Sequence, residues 1–320
     1  MWKVSLSRGK DLKKILAFAQ ETMTIMVSES TQIHLPTITE LLNDEFRDSR
    51  EFIPFDEERV LSEIRRRHLK ILVAVENGKV LGLVATHSHE NSEEHVTWLT
   101  ARKGINQKIV ENKLIDELEK QTDVNAISIM VDEKSPRIPD WIDRGYRLEP
   151  GFQRMSAKLD ELRSIPKIDD GIKLRSLRAD EEERLITAVN EGFGWRRLER
   201  GDLGTWKTED PPFNEDWVQI AETEQKIVSV VVARPDSDSI KYLHIKRGYL
   251  GPAATRPEYR SKHLASALTA RAMNFLFEKG MDSVRLGTSE TNASSIALLR
   301  RLGFQVEHLR KTLRKKLKDS

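Results

Sequence analysis

The chain has 320 residues with 53 basic and 51 acidic side chains, a net charge of +2 and no cysteine; at roughly 100–200 residues per domain this length predicts two domains. The lack of cysteine excludes disulfides, thiolate nucleophiles and thiolate metal sites, and fits a reducing compartment. Apolar runs such as residues 230–233 fall far short of the ~20 residues a membrane span needs, and the first residues lack the apolar core of a secretory signal, so a cytoplasmic protein that does not enter membranes is expected.

In chain order, Leu12, Ile15, Leu16 and Ala19 predict a short amphipathic helix that packs rather than reacts. From about residue 24 the sequence is a repeat of itself. At an offset of 147, Ile38, Leu42, Asn43 and Phe46 fall on Leu185, Val189, Asn190 and Phe193, the spacing of one helix face. At the same offset Val73, Ala74, Lys79, Val80, Leu83 and Val84 fall on Ile220, Ala221, Lys226, Ile227, Val230 and Val231. These are hairpins: Asn77-Gly78 is a type I′ turn sequence, whereas the second copy has Glu224-Gln225, a poorer one. Near the ends the offset becomes 158, pairing Gly145-Tyr146 with Gly303-Phe304, Leu148 with Val306, and Leu159 with Leu317. The domains expected are 1–162, with the extra helix, and 171–320, separated by Ser164-Ile165-Pro166 and Asp169-Asp170-Gly171.

Each copy reads as strand, helix, long loop, hairpin, strand, helix, strand, helix and a final strand pair, a mixed α/β (α+β) sheet architecture. In the second copy the expected elements are a strand over 172–176, a helix over 180–193, a hairpin over 217–233 and a strand over 242–254. A helix over 262–279 follows, with Leu264, Leu268, Ala272 and Phe275 on one face and Gly280 closing it. A strand over 283–288 leads to Asn292, which caps a helix ending before Gly303.

The passage from Ala253 through Arg256 and Arg260 to Ala265 runs from a strand through a basic turn into a helix. Unpaired backbone N–H groups and the macrodipole at such a helix start favour an anion, and Arg256, Arg260 and Lys262 add formal charge. The second half is also the better host for an anionic ligand, carrying +5 against −3 for the first. The same turn read alone is an ordinary crossover with solvated basic residues.

The run Arg260-Ser261-Lys262-His263-Leu264-Ala265 resembles the R/Q-x-x-G-x-G/A motif of the GCN5-related N-acetyltransferase (GNAT) superfamily. In the expected order behind it, Asn292-Ala293-Ser294-Ser295-Ile296-Ala297-Leu298-Leu299-Arg300-Arg301-Leu302-Gly303-Phe304 resembles the family's N-x-x-A/S-x-x-L-Y-x-x-x-G-F helix. The resemblance covers residues 172 to about 310, and the repeat extends it weakly to 24–160, giving two tandem GNAT-like domains of which the first is degenerate. It implies acetyl-CoA as co-substrate, bound between two splayed strands. Backbone groups of Ala253, Ala254 and Thr255 would meet the pantetheine arm. The N–H groups of Ser261, Lys262, His263, Leu264 and Ala265 would cradle the pyrophosphate beside Arg260, and Asn292 would contact the pantetheine end or serve as a plain helix cap.

Two positions depart from the family pattern. His263 stands where glycine is usual, and Leu299 where a tyrosine commonly protonates the leaving thiolate. Alternation along the strand would put Tyr249, Gly251 and Ala253 on one face with no carboxylate among them. Tyr249 is then the candidate acid or base, and Glu290 the nearest carboxylate; the alternatives are a half-buried strand aromatic and a solvated loop charge. Acceptor selection would fall to residues 194–216, with Trp195, Arg196, Arg197, Trp206 and Phe213. The leading expectation is an N-acetyltransferase acting on a primary amine. The alternative is a silent acyl-CoA-binding or regulatory protein.

The first copy's turn, Arg102-Lys103-Gly104, keeps charge without the motif. His87, His89, Glu90, Glu93, Glu94 and His95 lack a closed ligand spacing and read as a solvated polar loop, so no metal is expected. The basic tail from Arg310 to Lys318 reads as a charged edge strand rather than a nucleic-acid arm, since no aromatics interleave it. A monomer or homodimer fits a chain with two packed copies.

Overall fold

The computed structural model describes residues 24–89, 93–104, 106–224 and 226–317; the helix expected over Leu12 to Ala19, and Glu90 of the histidine-rich stretch, lie outside them. Contacts gather the described residues into two units, one drawn from Met1–Glu149 with Lys311–Ser320 and the other from Pro150–Arg310. The first unit holds β1 (Met26–Glu29), α1 (Leu35–Phe46), α2 (Glu57–Arg67), β2 (Lys70–Glu76), β3 (Lys79–His89), β4 (Glu93–Ala101), α3 (Gln107–Gln121), β5 (Ala126–Asp132) and α4 (Ile138–Asp143). Then come β6 (Arg147–Lys158), β7 (Lys173–Ser176), α5 (Glu182–Phe193), α6 (Asp202–Glu209), β8 (Val218–Thr223), β9 (Lys226–Pro235) and α7 (Ser237–Leu243). The chain finishes with β10 (Arg247–Thr255), α8 (Leu264–Glu278), β11 (Ser283–Ser289), α9 (Ala293–Arg301) and β12 (Gln305–Lys316).

Strands run in the order β1-β2-β3-β4-β5 in the first unit and β6-β11-β10-β9-β8-β7 in the second. In each, one parallel pair interrupts an antiparallel sheet: β4 with β5, and β10 with β11. The repeat is structural. Helices α1 and α5 are both 12 residues long and stand 147 residues apart, burying Ile38 and Leu42 in one core, Leu185 and Val189 in the other. Fully burying such a side chain contributes about 1.5–3 kcal/mol. The hairpin turns agree as well, since Asn77, Gly78 and Glu224 all have positive φ (49°, 74° and 46°). Gly145 and Gly303, 158 residues apart, have φ of 88° and 89°, each placing a buried aromatic, Tyr146 or Phe304, behind it.

Several expectations need correction. Each copy ends in one 12-residue strand, not a pair. That length carries each last strand beyond its own copy: residues 152–158 of β6 pair along β11 and bury Met155 and Ala157 in the second core, while Leu313 of β12 is buried in the first. Residues 150–162 and 311–317 therefore group with the opposite unit from that expected of domains 1–162 and 171–320. The basic tail is a strand beside β5 in the first unit rather than an edge. Its Arg314 pairs with Glu93 at 2.9 Å and its Lys315 with Glu119 at 2.6 Å, so these cations are used within the first unit. The strand expected from residue 242 begins at Arg247, because Asp236 caps the short helix α7 by accepting the Ser239 N–H. Each long loop contains a helix, α2 or α6.

The histidine-rich stretch is paired strand, not solvated loop. His87 faces His95 across β3 and β4 with ring centroids 5.2 Å apart, and Glu94 is buried, accepting the Ser88 hydroxyl at 2.7 Å. His87 Nδ1 shares a hydrogen bond with Thr97 Oγ1 at 2.9 Å and His95 Nδ1 with Ser128 Oγ at 3.0 Å. Among the described residues no group of three or more His, Asp or Glu side chains is placed to hold a metal ion, and no helix is long and apolar enough to cross a membrane.

Candidate functional site

The second unit opens where β10 leaves β11. These strands pair only at Arg247, Gly248 and Tyr249 with Ser283, Val284 and Arg285, whereas β11 stays paired with β6 as far as Ser289. On its other side β10 follows β9 with one extra residue between Leu250 and Ala253. This bulge bends the strand away from β11 and leaves a wedge between them.

The bulge also resets the strand's faces. Cross-strand partners share a face, so Leu250 (opposite Ala233) and Ala253 (opposite Val231) lie together, and Tyr249 (opposite Arg234) lies with Ala254 (opposite Val230). The expected grouping of Tyr249 with Ala253 is thus overturned. Peptide directions follow from Arg256, whose N–H donates to Val228 O at 3.0 Å. By alternation Ala254 also turns its peptide groups toward β9, where its carbonyl accepts the Ser229 hydroxyl at 3.1 Å. Ala253 and Thr255 turn theirs into the wedge, so of the three expected backbone contacts Ala254 drops out.

At the far end of β10 the chain makes a tight turn into α8. Ser261 and His263 both have left-handed backbones, φ 64° and 59°, in a region that costs a non-glycine residue about 1–2 kcal/mol. His263 adopts the glycine-like conformation that its position demands and acts as N-cap of the 15-residue α8, its carbonyl accepting the Ala267 N–H at 3.0 Å. Among the described residues, the backbone N–H groups of Ser261, Lys262, His263, Leu264 and Ala265 find no acceptor. Such a run of free donors at a helix start is a concave anion seat. Ser261, Lys262 and His263 are exposed, whereas the Leu264 side chain is a core anchor, leaving only its N–H to the seat.

Arg260 does not point into this seat. Its guanidinium donates to Gly192 O at 2.9 Å and Thr255 O at 3.4 Å. Arg256, expected as a surface cation, is buried: Nε donates to Ile227 O at 2.7 Å and Nη1 pairs with Glu191. Burial moves the Arg256 pKa below the usual guanidinium value. Both arginines therefore strut the turn against α5 and β9. Gly192 completes the joint, since a Cβ there would stand 2.8 Å from Ala254 Cβ and 3.2 Å from Thr255 N.

Tyr249 is half-buried at the closed end of the wedge. The Arg234 guanidinium lies 5.6 Å from its ring centroid and 4.9 Å from that of Trp206 on α6. Asp210 holds Arg234 there, accepting its Nη1 at 2.9 Å and the Ser237 hydroxyl at 2.9 Å. Within the loop expected to choose the acceptor, Phe213 is buried and meets Trp206 edge-on at 5.8 Å. Trp195, 43% exposed, and Arg197 remain on the surface.

Glu290 is half-buried and stands away from Tyr249. Its Oε2 accepts the Gly151 N–H at 2.9 Å and its own N–H returns a bond to Gly151 O, also at 2.9 Å. It lies five residues beyond Arg285, the partner of Tyr249, or about 16 Å along an extended strand. Asn292 caps α9 by accepting the Ser295 N–H at 3.1 Å. Leu299, in the position of the usual tyrosine, is buried in the core with Phe304.

The corresponding turn of the first unit differs. Arg102 forms a two-pronged pair with Glu40 at 3.0 and 3.1 Å, and the first helical N–H, that of Gln107, is satisfied by Gly104 O. The cleft beside it, about 210 Å³, is lined by Glu76, Leu81 and Val110 with Arg102, Lys103, Gly104 and Asn106.

Comparison with known proteins agrees with this geometry. Residues 176–304 match the Acetyltransferase (GNAT) family. A mycothiol acetyltransferase from Renibacterium salmoninarum is 24% identical over 173 residues, covering 50% of this chain and 49% of that protein. One from Segniliparus rotundus is 25% identical over 155 residues, 44% of this chain and 54% of that protein. The match thus spans about half the length of these relatives. Among solved structures, a GCN5-related N-acetyltransferase from Sphaerobacter thermophilus aligns over 92% of this chain and 96% of its own, with a TM-score of 0.68 and 16% identity. A tandem GNAT protein from the clavulanic acid biosynthesis pathway aligns over 92% and 99%, with a TM-score of 0.66 and 13% identity. Residues 176–304 are therefore similar to the GNAT acetyltransferase family, in a chain that shares its fold with tandem GNAT proteins.

Proposed function

We propose that the protein is a cytoplasmic acetyl-CoA-dependent N-acetyltransferase whose second copy carries the chemistry. The observation that carries this reading is the anion seat of five free N–H groups at the end of the strand whose Ala253 and Thr255 peptides face the wedge. The pyrophosphate would sit on Ser261–Ala265 and the pantetheine arm would hydrogen-bond to Ala253 and Thr255, bringing the thioester to the closed end near Tyr249. The acceptor amine would attack the thioester carbonyl, forming the C–N bond and breaking C–S; the nitrogen would lose a proton to water or a base and the thiolate would take one. The Tyr249 hydroxyl is our candidate for the thiolate's proton, because Leu299 offers none and Glu290 is bonded to Gly151. With its turn closed by Glu40, the first copy would serve structure rather than donor binding.

The test is turnover. Wild type incubated with acetyl-CoA and primary amines from amino sugars, polyamines and peptide N-termini should release CoA, and Tyr249→Phe should do so at least tenfold more slowly. The buried Leu299 favours a second reading, a silent acyl-CoA-binding protein, which predicts saturable acetyl-CoA binding with no turnover of any amine.

A further inference from the structure

Of the three glycines on the strands that border the wedge, two are explained by the fold. A Cβ on Gly248 would stand 2.6 Å from the Leu276 side chain of α8, and Gly251 has φ of 146°, a conformation closed to other residues. Gly287 on β11 answers to neither reason. Its backbone is not left-handed, it is exposed, and a Cβ built on it meets nothing within 4 Å. Glycine inside a strand weakens it, because it loses more chain entropy and packs nothing. The fold therefore bears a cost at Gly287 without using the space it leaves.

That space lies on the sheet face beside the wedge. Tyr249 and Arg285 are the last paired residues of β10 and β11, and Gly251 and Gly287 each stand two residues beyond them. Gly287 is on the face of Arg285 and hence of Tyr249, opposite the face on which Leu286 and its neighbour Met155 enter the core. A donor seated at the α8 turn and running back along β10 delivers its acyl carbonyl to this closed end. Any carbons beyond the carbonyl extend past Gly287.

We propose that Gly287 makes the site one for acyl-CoA donors longer than acetyl, the missing side chain leaving the room their chain occupies. This rests on the donor-site reading above. The Arg154 stem, cross-strand from Gly287, and Phe152, paired with Ser289 and 52% exposed, supply apolar surface along the same face for such a chain.

The experiment is calorimetric titration of the intact protein with CoA, acetyl-CoA, butanoyl-CoA and hexanoyl-CoA, for wild type, Gly287→Ala and Gly287→Val, with a thermal melt of each. Wild type is expected to bind hexanoyl-CoA at least as tightly as acetyl-CoA. Gly287→Val should keep acetyl-CoA within twofold and lose at least tenfold for hexanoyl-CoA, with Gly287→Ala between and neither melting below wild type. Tenfold weaker binding of hexanoyl-CoA than acetyl-CoA by wild type would overturn the proposal, as would equal losses for every donor in Gly287→Val. Failure of wild type to bind CoA or acetyl-CoA would instead remove the donor-site reading beneath it.

Discussion

The Arg260 guanidinium reaches across to the last turn of α5 and donates to Gly192 O at 2.9 Å, fastening the end of α5 to the turn that follows β10. Arg260→Ala leaves that carbonyl without its charged donor. It should lower stability by about 1.5–3 kcal/mol, the range for hydrogen bonds to charged groups, discounted toward the lower end by the residue's exposure. Because the side chain points away from the N–H seat, Arg260→Lys should bind acetyl-CoA within about threefold of wild type. Denaturant melts and calorimetry on both variants check this, and a large affinity loss in Arg260→Lys would show direct contact with the donor.

Gly192 provides the steric half of the same joint. With a new Cβ 2.8 Å from Ala254 Cβ and 3.2 Å from a backbone nitrogen, Gly192→Ala must push α5 off β10. Overpacking of this kind costs about 1–3 kcal/mol. The variant should therefore melt below wild type although alanine is the better helix former.

The repeated asparagine is a loop clamp. Asn190 Nδ2 donates to Leu198 O at 2.9 Å while its Oδ1 accepts the N–H groups of Arg197 and Leu198 at 2.7 and 2.8 Å. Asn43 does the same for Phe55, donating at 2.9 Å and accepting at 2.8 Å. Asn190→Ala strands part-buried backbone groups and should cost about 2–3 kcal/mol. Asn190→Asp should cost less, since it keeps the acceptor and loses only the donor. Thermal melts of the two rank them.

An acid-sensitive network sits at the outer edge of the second unit. Arg175 grips the buried Glu181 with two nitrogens at 2.6 and 2.7 Å, Arg184 joins it, and both arginines also pair with Glu222. The hydrogen bonds from Arg175, opposed by burial, lower the Glu181 pKa to about 2 from an ordinary 4.5. A carboxylate depressed in the folded state stabilises above its unfolded pKa, so the contribution of about 3 kcal/mol is complete above pH 4.5 and lost as pH falls toward 2. Glu181→Gln should flatten that part of the stability-versus-pH curve and lower stability at pH 7, as denaturant titrations from pH 2 to 7 would register.

Asp210 positions Arg234 over Tyr249 and Trp206. Asp210→Asn keeps the shape and removes the charge. Acetyl-CoA affinity should stay within about twofold, because the proposed donor seat lies at the other end of β10, whereas turnover of a responsive amine should fall about tenfold or more if Tyr249 serves the reaction. Parallel loss of donor binding would place this cluster in the donor site instead.

Periodic burial made much of the fold legible in the sequence. The 3.6-residue pattern of Ile38, Leu42, Leu185 and Val189, the two hairpins and the glycines at 145 and 303 each follow from one local rule, and each stands where expected. The last-strand segments that group with the other unit were not legible, because strand pairing depends on partners distant in sequence. The strand-to-helix turn over Arg260–Ala265 was recognisable, but the places of its arginines were not: nothing local distinguishes Arg256, buried beneath the turn, from a solvated cation. The bulge that separates Tyr249 from Ala253 had one signal, Gly251-Pro252 inside a strand, a pair that strict alternation overrode.

The central claim is a donor seat formed by β10, its turn and α8. Calorimetric titration of the intact protein with acetyl-CoA, beside Lys262→Glu, tests it most directly, because that substitution reverses an exposed charge at the seat without touching the core. The account predicts one saturable site per chain in wild type and affinity at least tenfold weaker in Lys262→Glu. Absence of saturable binding in wild type, or equal binding by both proteins, would contradict it.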